Sequence, residues 1–84
     1  NASVLLLSSH NPEVLAYLCR RQKDKVLVLI NLSKQNASFY LDHPAVAGTY
    51  YDVFSNKKDE IPRKRNFVFR PGEYRVYHVT ADSD

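Results

Sequence analysis

The protein is a chain of 84 residues, 44% of them hydrophobic and 25% charged, with a net charge of +3 at pH 7. This composition excludes a disordered chain, and a domain of this length buries only about 60–65% of its unfolded surface. The single cysteine, Cys19, excludes an intrachain disulfide framework. No apolar run approaches the roughly 20 residues of a membrane-spanning helix. The mild charge, scattered except for "RKR" at 63–65, favours neither a nucleic-acid partner nor a membrane partner.

The two ends of the chain are interpreted separately from the rest. Asn1 and Ala2 resemble a cloning scar, and residues 81–84 are expected to form a polar, frayed tail. Residues 3–80 are predicted to be a single domain that belongs to a longer polypeptide.

Residues that favour β-strands come in short runs separated by turn residues, and helical periodicity is hard to find. The runs predict seven strands: "SVLLLSS" (3–9), "EVLAYLCRR" (13–21), "KVLVLINLS" (25–33), "ASFYL" (37–41), "TYYDVF" (49–54), "NFVFR" (66–70) and "EYRVYHV" (73–79). "SNKKDEIPRK" (55–64) is interpreted as a charged excursion that holds no core, and Pro71-Gly72 as a type II turn. About seven to eight short strands without helices predict an all-β fold, an antiparallel Greek-key β-sandwich.

The side chains that catalysis or metal binding would need do not converge in the sequence. The three histidines lack metal-ligand spacing, and most of the carboxylates fall in turns or in the tail. Nothing suggests two carboxylates at the separation that glycosidic chemistry requires. Cys19 is interpreted as a small buried hydrophobic residue, and Asn31 as the end of a strand that bonds to the backbone of the next turn. We therefore predict no catalytic residue, no metal site and no cofactor.

Three segments in a fixed order carry a resemblance to a known family: "PEVLAYLCRRQKDKVLVLINLS" (12–33), "GTYYDVFS" (48–55) and "FVFRPGEYRVYHV" (67–79). Together they resemble the C-terminal β-sandwich of the alpha-amylase superfamily of glycoside hydrolases, in particular the cyclomaltodextrinase, neopullulanase and maltogenic amylase type. The family's aromatic residue near an arginine corresponds to Tyr17 with Arg20. The arginine usually found two positions after the aromatic is replaced by Cys19, so an ion pair made by that arginine does not carry over.

The resemblance implies a non-catalytic accessory domain. In such enzymes the catalytic carboxylates belong to a preceding (β/α)8 barrel, so no catalytic residue carries over to this chain. The resemblance implies that the domain packs on the barrel of the same polypeptide, in an enzyme that acts on starch-derived alpha-glucans, and that such domains sometimes contact the glucan. The compartment would follow the parent enzyme, with the bacterial periplasm or the cytoplasm as the expected location.

The stretch 26–30 contains no polar residue, so both faces of its strand need a cover. Because side chains alternate across a strand, Leu27, Leu29 and Asn31 share one face and the β-branched residues share the other. The β-branched face is predicted to be the core. Leu27 and Leu29, joined by alternate apolar residues of 14–19, are predicted to form an outer patch that docks on the barrel. The weaker alternatives for this cover are the N-terminal "SVLLL" and a homodimer of the isolated domain.

Two further functions compete with that of an accessory domain. A carbohydrate-binding module would use exposed aromatic rings as platforms. The candidates are Tyr50, Tyr51, Tyr74 and Tyr77. The absence of tryptophan counts against a dedicated sugar-binding module. A small nucleic-acid-binding barrel, with basic residues between aromatics as in "RKRNFVFR", is the least favoured of the three functions.

Overall fold

The computed structural model describes residues 2–79, so the predicted polar tail at 81–84 lies outside the described residues. They form eight strands and one 3-10 turn (Pro44–Val46). The strands are β1 (Ala2–Leu7), β2 (Val14–Arg21), β3 (Asp24–Asn31), β4 (Ala37–Asp42), β5 (Gly48–Asp52), β6 (Lys58–Ile61), β7 (Lys64–Phe69) and β8 (Tyr74–Val79). Antiparallel pairing in the order β1-β2-β3-β8-β5-β6 makes a six-stranded sheet, and β4 pairs with β7 in a two-stranded sheet. The predicted all-β antiparallel sandwich is confirmed.

The core lies between the two sheets. The two-stranded sheet contributes Phe39, Phe67 and Phe69, all at most 7% exposed. Phe39 stacks on Phe67 and meets Phe69 edge to face, with ring centroids 5.0 Å apart in both pairs. Opposite them, the six-stranded sheet contributes mainly aliphatic side chains from β2 and β3. The three phenylalanine rings and the aliphatic side chains opposite them form one continuous core in this small domain.

The charged segment 55–64 contains strand β6, so its interpretation as an excursion without core residues is wrong. Ile61 is 2% exposed and belongs to the core, while Lys58 and Glu60 point to solvent. Asp59 lies on the same side as Ile61 and accepts a hydrogen bond of 2.9 Å from Arg65 Nη1. An edge strand needs only a few apolar side chains, and its exposed charges discourage pairing with another sheet.

The structure reverses the predicted faces of β3. Leu27 and Leu29 are 0% exposed and lie in the core, whereas Val28 points away from it and is half-buried. The prediction that Leu27 and Leu29 form an outer docking patch is therefore wrong. Both sets of alternate residues are apolar, so hydrophobicity by itself does not determine which set is buried in the core. The polar residues at the ends of each set determine it.

Asn31, on the same face as the two leucines, is also 0% exposed. Its Nδ2 donates to the carbonyl oxygens of Gln35 and Arg70, each at 2.8 Å, and its Oδ1 accepts from the N–H of Ser33. At the other end of this face, Lys25 Nζ donates to two backbone carbonyls of the loop before β5. Because these polar groups are satisfied, burying this face leaves no unpaired donor. The predicted role of Asn31 in ending its strand is confirmed.

The turn between β7 and β8 is formed as the sequence predicts. The N–H of Glu73 donates to the carbonyl oxygen of Arg70 at 3.0 Å. Gly72 has a φ of 68°, a conformation that glycine adopts at no steric cost. The turn fixes where β8 begins, and this strand lies between β3 and β5 in the six-stranded sheet.

Candidate functional site

The face of the six-stranded sheet that points away from the two-stranded sheet is mainly apolar, and we call it the outer face. Its side chains form three cross-strand rows, which are Val4–Cys19–Val26–His78–Tyr51, Leu6–Tyr17–Val28–Val76 and Leu15–Ile30–Tyr74. Directly opposed side chains on one face of a sheet contact each other, so the rows form one surface. The two-stranded sheet covers only the opposite face. The outer face therefore remains uncovered by residues 2–79.

Exposure along the outer face is greatest at its β1 edge. Val4 is 68% and Leu6 is 71% exposed, whereas the residues on β2, β3 and β8 shield one another in part. Within the described chain, charged side chains occur only at the borders of this face. Arg21 opposes Asp24 beside the β2–β3 turn. At the other border, Lys58 of the edge strand β6 opposes Tyr51. An apolar surface with a charged border is typical of a surface that contacts another protein.

The N-terminal "SVLLL" does not cover the outer face, so that alternative is wrong. It forms β1, which pairs with β2 at the edge of the six-stranded sheet. Leu5 and Leu7 turn toward the core, and Val4 and Leu6 add to the outer face. The same alternation that lets β1 contribute to the core makes it enlarge the outer face.

Cys19 is half-buried on the outer face and does not belong to the core. It lies between Val4 and Val26 in the cross-strand register. Its interpretation as a small buried hydrophobic residue is wrong, because β2, like β3, has apolar residues in both alternate sets and Cys19 belongs to the set on the outer face. Because the Cys19 thiol lies on the outer face, its reactivity can report whether that face is covered.

Two of the four tyrosines predicted to contact sugar lie in the core. Tyr50 is 0% and Tyr77 is 4% exposed, and their rings meet at 6.1 Å. The Tyr50 hydroxyl donates to the carbonyl oxygen of Val46, and burial raises the pKa of Tyr50 to about 12. Neither ring can form a binding platform, so both assignments are wrong. Tyr51 is half-buried beside His78.

Tyr74 is the exposed member of the set, and it pairs with a residue that sequence reasoning missed. Tyr74 is 54% and Phe54 is 65% exposed, and their rings meet edge to face at 5.5 Å and 86°. Phe54 was predicted as the last residue of a strand, but β5 ends at Asp52 and Phe54 lies in the following turn. The signal that could have identified it is Asp52, since an aspartate that accepts from the next backbone N–H groups starts a turn. Its Oδ1 accepts from the N–H of Phe54 at 2.8 Å.

Next to Tyr74, Arg75 is held between two carboxylates. Its Nη2 lies 2.6 Å from Glu73 Oε2, and its Nη1 lies 3.7 Å from Asp52 Oδ2. The backbone N–H of Ser55 and the charge of Arg75 lower the pKa of Asp52, and the backbone N–H of Arg70 and then Arg75 lower that of Glu73. A general acid for glycoside hydrolysis needs a raised pKa, so neither carboxylate suits that role.

The other polar groups contribute to structure. Arg63 pairs with Asp42 at 3.1 Å and Arg65 with Asp59 at 2.9 Å, so two basic residues of "RKR" already have carboxylate partners. Among residues 2–79, no group of histidine, cysteine and carboxylate side chains is placed to hold a metal ion. No helix in this range is long and apolar enough to cross a membrane.

A comparison with known proteins agrees with this architecture. The family model of the maltogenic amylase C-terminal domain matches residues 4–76, which run from β1 into β8. A comparison with curated proteins found no match. The matched segment includes the first two stretches that carry the resemblance, residues 67–76 of the third, and most of the outer face. The chain belongs to the family of the maltogenic amylase C-terminal domain.

Proposed function

We propose that this domain is a non-catalytic accessory domain of an alpha-amylase-type glycoside hydrolase that acts on starch-derived alpha-glucans. Its outer face packs against the catalytic (β/α)8 barrel of the same polypeptide and stabilises it. The observation that supports this proposal is the uncovered apolar outer face in a member of a C-terminal domain family. The residues suited to docking are those of the alternate set opposite to Leu27 and Leu29.

The size of the outer face supports a role as a functional surface. Four strands about 4.8 Å apart and three rows about 6.8 Å apart give a footprint on the order of 400 Å². The largest apolar patch on a typical monomer is about 300–600 Å² and often has a function, so a face of this size is a candidate functional surface. Burial of such a patch is favourable by roughly 25 cal/mol per Å². The gain is largest for Val4 and Leu6, the most exposed side chains of the face.

The proposal expects no hydrolysis of maltodextrin by the isolated chain. Glycoside hydrolysis requires a carboxylic acid and a carboxylate on the two sides of the scissile bond. Asp52 accepts from the backbone N–H groups of Phe54 and Ser55 and lies 3.7 Å from Arg75 Nη1. Glu73 accepts from the backbone N–H of Arg70 and from Arg75 Nη2, and so both carboxylates favour the ionised form. Release of reducing sugar above the uncatalysed background, removed by Asp52→Asn, would contradict this part of the proposal.

A pair of matched valine variants tests the docking role. Val28→Ser changes the outer face, and Val68→Ser changes a 70% exposed residue on β7 of the two-stranded sheet. In the isolated domain each variant is expected to change the free energy of unfolding by less than about 1 kcal/mol. In the parent enzyme only Val28→Ser is expected to lower the melting temperature. Equal melting temperatures for the two parent-enzyme variants would contradict docking through the outer face.

Cys19 provides an independent readout of the same proposal. Its thiol is expected to react with a thiol reagent in the isolated domain and to be protected in the parent enzyme, where peptide mapping identifies it. A homodimer is the competing cover for the outer face. Sedimentation of the isolated domain separates the two, because a dimer that Val28→Ser dissociates would favour the homodimer over the barrel.

A second candidate function is contact with the alpha-glucan itself. The specific observation that favours it is the exposed pair of Tyr74 and Phe54, which lines one groove together with Arg75. Tyr74 lies at one end of the outer face, in the row that begins at Leu15, and Phe54 contacts it from the turn after β5.

A further inference from the structure

We infer that the free edge of β7 binds an extended segment of another polypeptide chain, with an acidic residue at each end, which adds to the two-stranded sheet as a third strand. This site is separate from the outer face, because β7 belongs to the sheet that covers the opposite face of the six-stranded sheet. A domain whose outer face is docked therefore still presents β7 to a partner. The inference does not rest on the proposed function.

The backbone groups of β7 alternate between β4 and the free edge. In an antiparallel pair, opposed residues either exchange backbone hydrogen bonds or direct their N–H and C=O groups away from each other. Tyr40 on β4 bonds away from β7, since its N–H donates to the β1–β2 turn at 3.2 Å and its carbonyl oxygen lies 3.0 Å from His10 Nδ1. Asn66 is opposed to Tyr40, so its own N–H and C=O point to the free edge. The same alternation directs the backbone groups of Lys64 and Val68 outward.

The start of β7 supports the same alternation. The N–H of His43 donates to the carbonyl oxygen of Arg63 at 3.1 Å, so the bonded pairs are those at odd positions of β7. The outward set is therefore Lys64, Asn66 and Val68. Within residues 2–79, no group bonds to the outward N–H and C=O of these three residues. A row of unpaired donors and acceptors on a strand edge is a template for the addition of another strand.

The other sheet edges in the described part of the chain are covered, charged or already assigned. The β1–β2 turn covers the edge of β4, where Asn11 Nδ2 donates to the carbonyl oxygen of Ser38 at 3.1 Å. The edge strand β6 has only four residues, and its exposed side chains include both Lys58 and Glu60. The edge of β1 borders the apolar outer face. Because proteins protect edges that must not pair, the open six-residue edge of β7 is the candidate for one that does.

Charge favours an acidic peptide over a second copy of this chain. Both arginines of "RKR" already pair with carboxylates, whereas Lys64 and Arg70 are exposed at the two ends of the strand. Their positions are about 20 Å apart along an extended backbone. A second copy would bring the same cations to the edge, and like charges across paired strands are destabilising. An acidic residue near each end of the added strand would instead meet Lys64 and Arg70.

The middle of β7 determines what the middle of the peptide should be. Val68 is 70% exposed and shares its outward face with Asn66. Val68 also lines an open groove of about 870 Å³, so a side chain placed beside it meets no obstruction. Cross-strand contacts of this kind favour β-branched residues. The matching ligand is therefore a strand that lies opposite residues 64–70, acidic at both ends and β-branched between them.

The test is a titration of the 84-residue chain with the peptide acetyl-ETVTTTE-amide, followed by NMR and hydrogen exchange. Binding is expected to slow exchange of the outward N–H groups of Asn66 and Val68, because they gain carbonyl partners. The N–H of Phe67 already bonds to β4 and is expected to exchange as before. Acetyl-KTVTTTK-amide is expected to bind at least about tenfold more weakly. Acetyl-ETVTPTE-amide, which keeps the charge but lacks a bonding N–H, is expected to lose at least about tenfold as well.

Variants of the chain test the backbone and the charges separately. Asn66→Pro removes an N–H that points away from β4, so the β4–β7 bonds remain and peptide binding is lost. Lys64→Glu with Arg70→Glu leaves the backbone unchanged, and so it tests the inference whether or not the proline variant folds. This double variant is expected to bind the acidic peptide at least about tenfold more weakly and to prefer the lysine peptide. Lys23→Glu with Lys57→Glu makes the same charge change in exposed turns and is the control that keeps binding.

The inference is wrong if the acidic peptide leaves exchange at Asn66 and Val68 unchanged, or if the double variant at 64 and 70 binds it as well as the unchanged chain does. Equal binding of the proline-containing peptide would indicate charge attraction without strand addition and would also overturn it. A dimer of the chain that Asn66→Pro dissociates would replace the peptide by a second copy. None of these results bears on docking through the outer face, which Val28→Ser tests separately.

Discussion

The side-chain amide of Asn31 donates to the carbonyl oxygen of Arg70, 39 positions later, at 2.8 Å. This bond joins the end of β3 to the turn that begins β8, its neighbour in the six-stranded sheet. Asn31 is fully buried, so its hydrogen bonds are not replaced by water. Asn31 therefore fixes the orientation of β3 in which its own face, with Leu27 and Leu29, points into the core.

Asn31→Leu tests this arrangement. The substitution keeps the branched shape of the side chain, with a somewhat larger volume, but removes the donor to Gln35 and Arg70 and the acceptor for Ser33. We expect a loss of about 2–3 kcal/mol in the free energy of unfolding, measured by urea denaturation, because a buried polar group without its partner is costly. Asn36→Leu, on an exposed residue of the following turn, is the control and is expected to change the free energy by at most about 0.5 kcal/mol. Similar values for the two variants would contradict the role of Asn31.

The reversed faces of β3 predict unequal effects at neighbouring positions. Leu29→Ala leaves a cavity in the core and is expected to cost about 2–5 kcal/mol. Val28→Ala removes methyl groups from the outer face and is expected to cost less than about 1 kcal/mol in the isolated domain. The measurement is the denaturation midpoint of each variant. If Val28→Ala were the more damaging of the two, the outward position of Val28 would be wrong.

Replacement of Gly72 is expected to lower the free energy of unfolding through backbone strain alone. Its φ is 68°, and a Cβ added there would meet no atom within 4 Å. Gly72→Val is therefore expected to cost about 1–2 kcal/mol through strain and not through a clash. Gly72→Asn is the control, since asparagine tolerates this conformation better, and its melting temperature is expected to lie between those of the valine variant and the unchanged chain. An unchanged melting temperature for Gly72→Val would exclude a strained turn.

The carboxylates beside Arg75 predict how stability depends on acid. Backbone N–H groups and Arg75 lower the pKa values of Asp52 and Glu73 from the ordinary 3.8 and 4.5. A lowered pKa in the folded state gives stability that is present above the ordinary values and is lost as the pH falls through the folded-state values. We therefore expect the free energy of unfolding to decrease as the pH falls below about 4.5.

Combining Asp52→Asn with Glu73→Gln is expected to flatten this acid dependence, measured by urea denaturation at several pH values. Glu60→Gln, on an exposed residue of β6, is the control for removal of one negative charge. If the free energy of unfolding of the double variant decreased with falling pH as steeply as that of the unchanged chain, other carboxylates would be responsible for the acid dependence.

Most of the strand pattern could be predicted from the sequence, because β-forming runs and turn residues are local features. Seven strands, the Pro71-Gly72 turn and the sandwich class follow from them, and the motifs that carry the resemblance are themselves local. Strand β6 escaped prediction because Ile61 is its only buried apolar side chain and charged residues surround it. A strand that buries so little leaves almost no periodic signal.

The sequence by itself determined that β3 is apolar on both faces, and hence that burial of one face in the core leaves the other apolar face on the outside. Alternation sorts Leu27 and Val28 into different sets, but it does not say which set is inside. Only the tertiary structure decided this, because burial of Asn31 depends on carbonyl groups that the fold brings from distant positions. The same limit applies to Tyr77 and Tyr74, which lie three residues apart on one strand and so face opposite sides. Tyr77 is a core residue because the two-stranded sheet covers its face of the six-stranded sheet. Tyr74 is exposed because it lies on the outer face, which the two-stranded sheet does not cover.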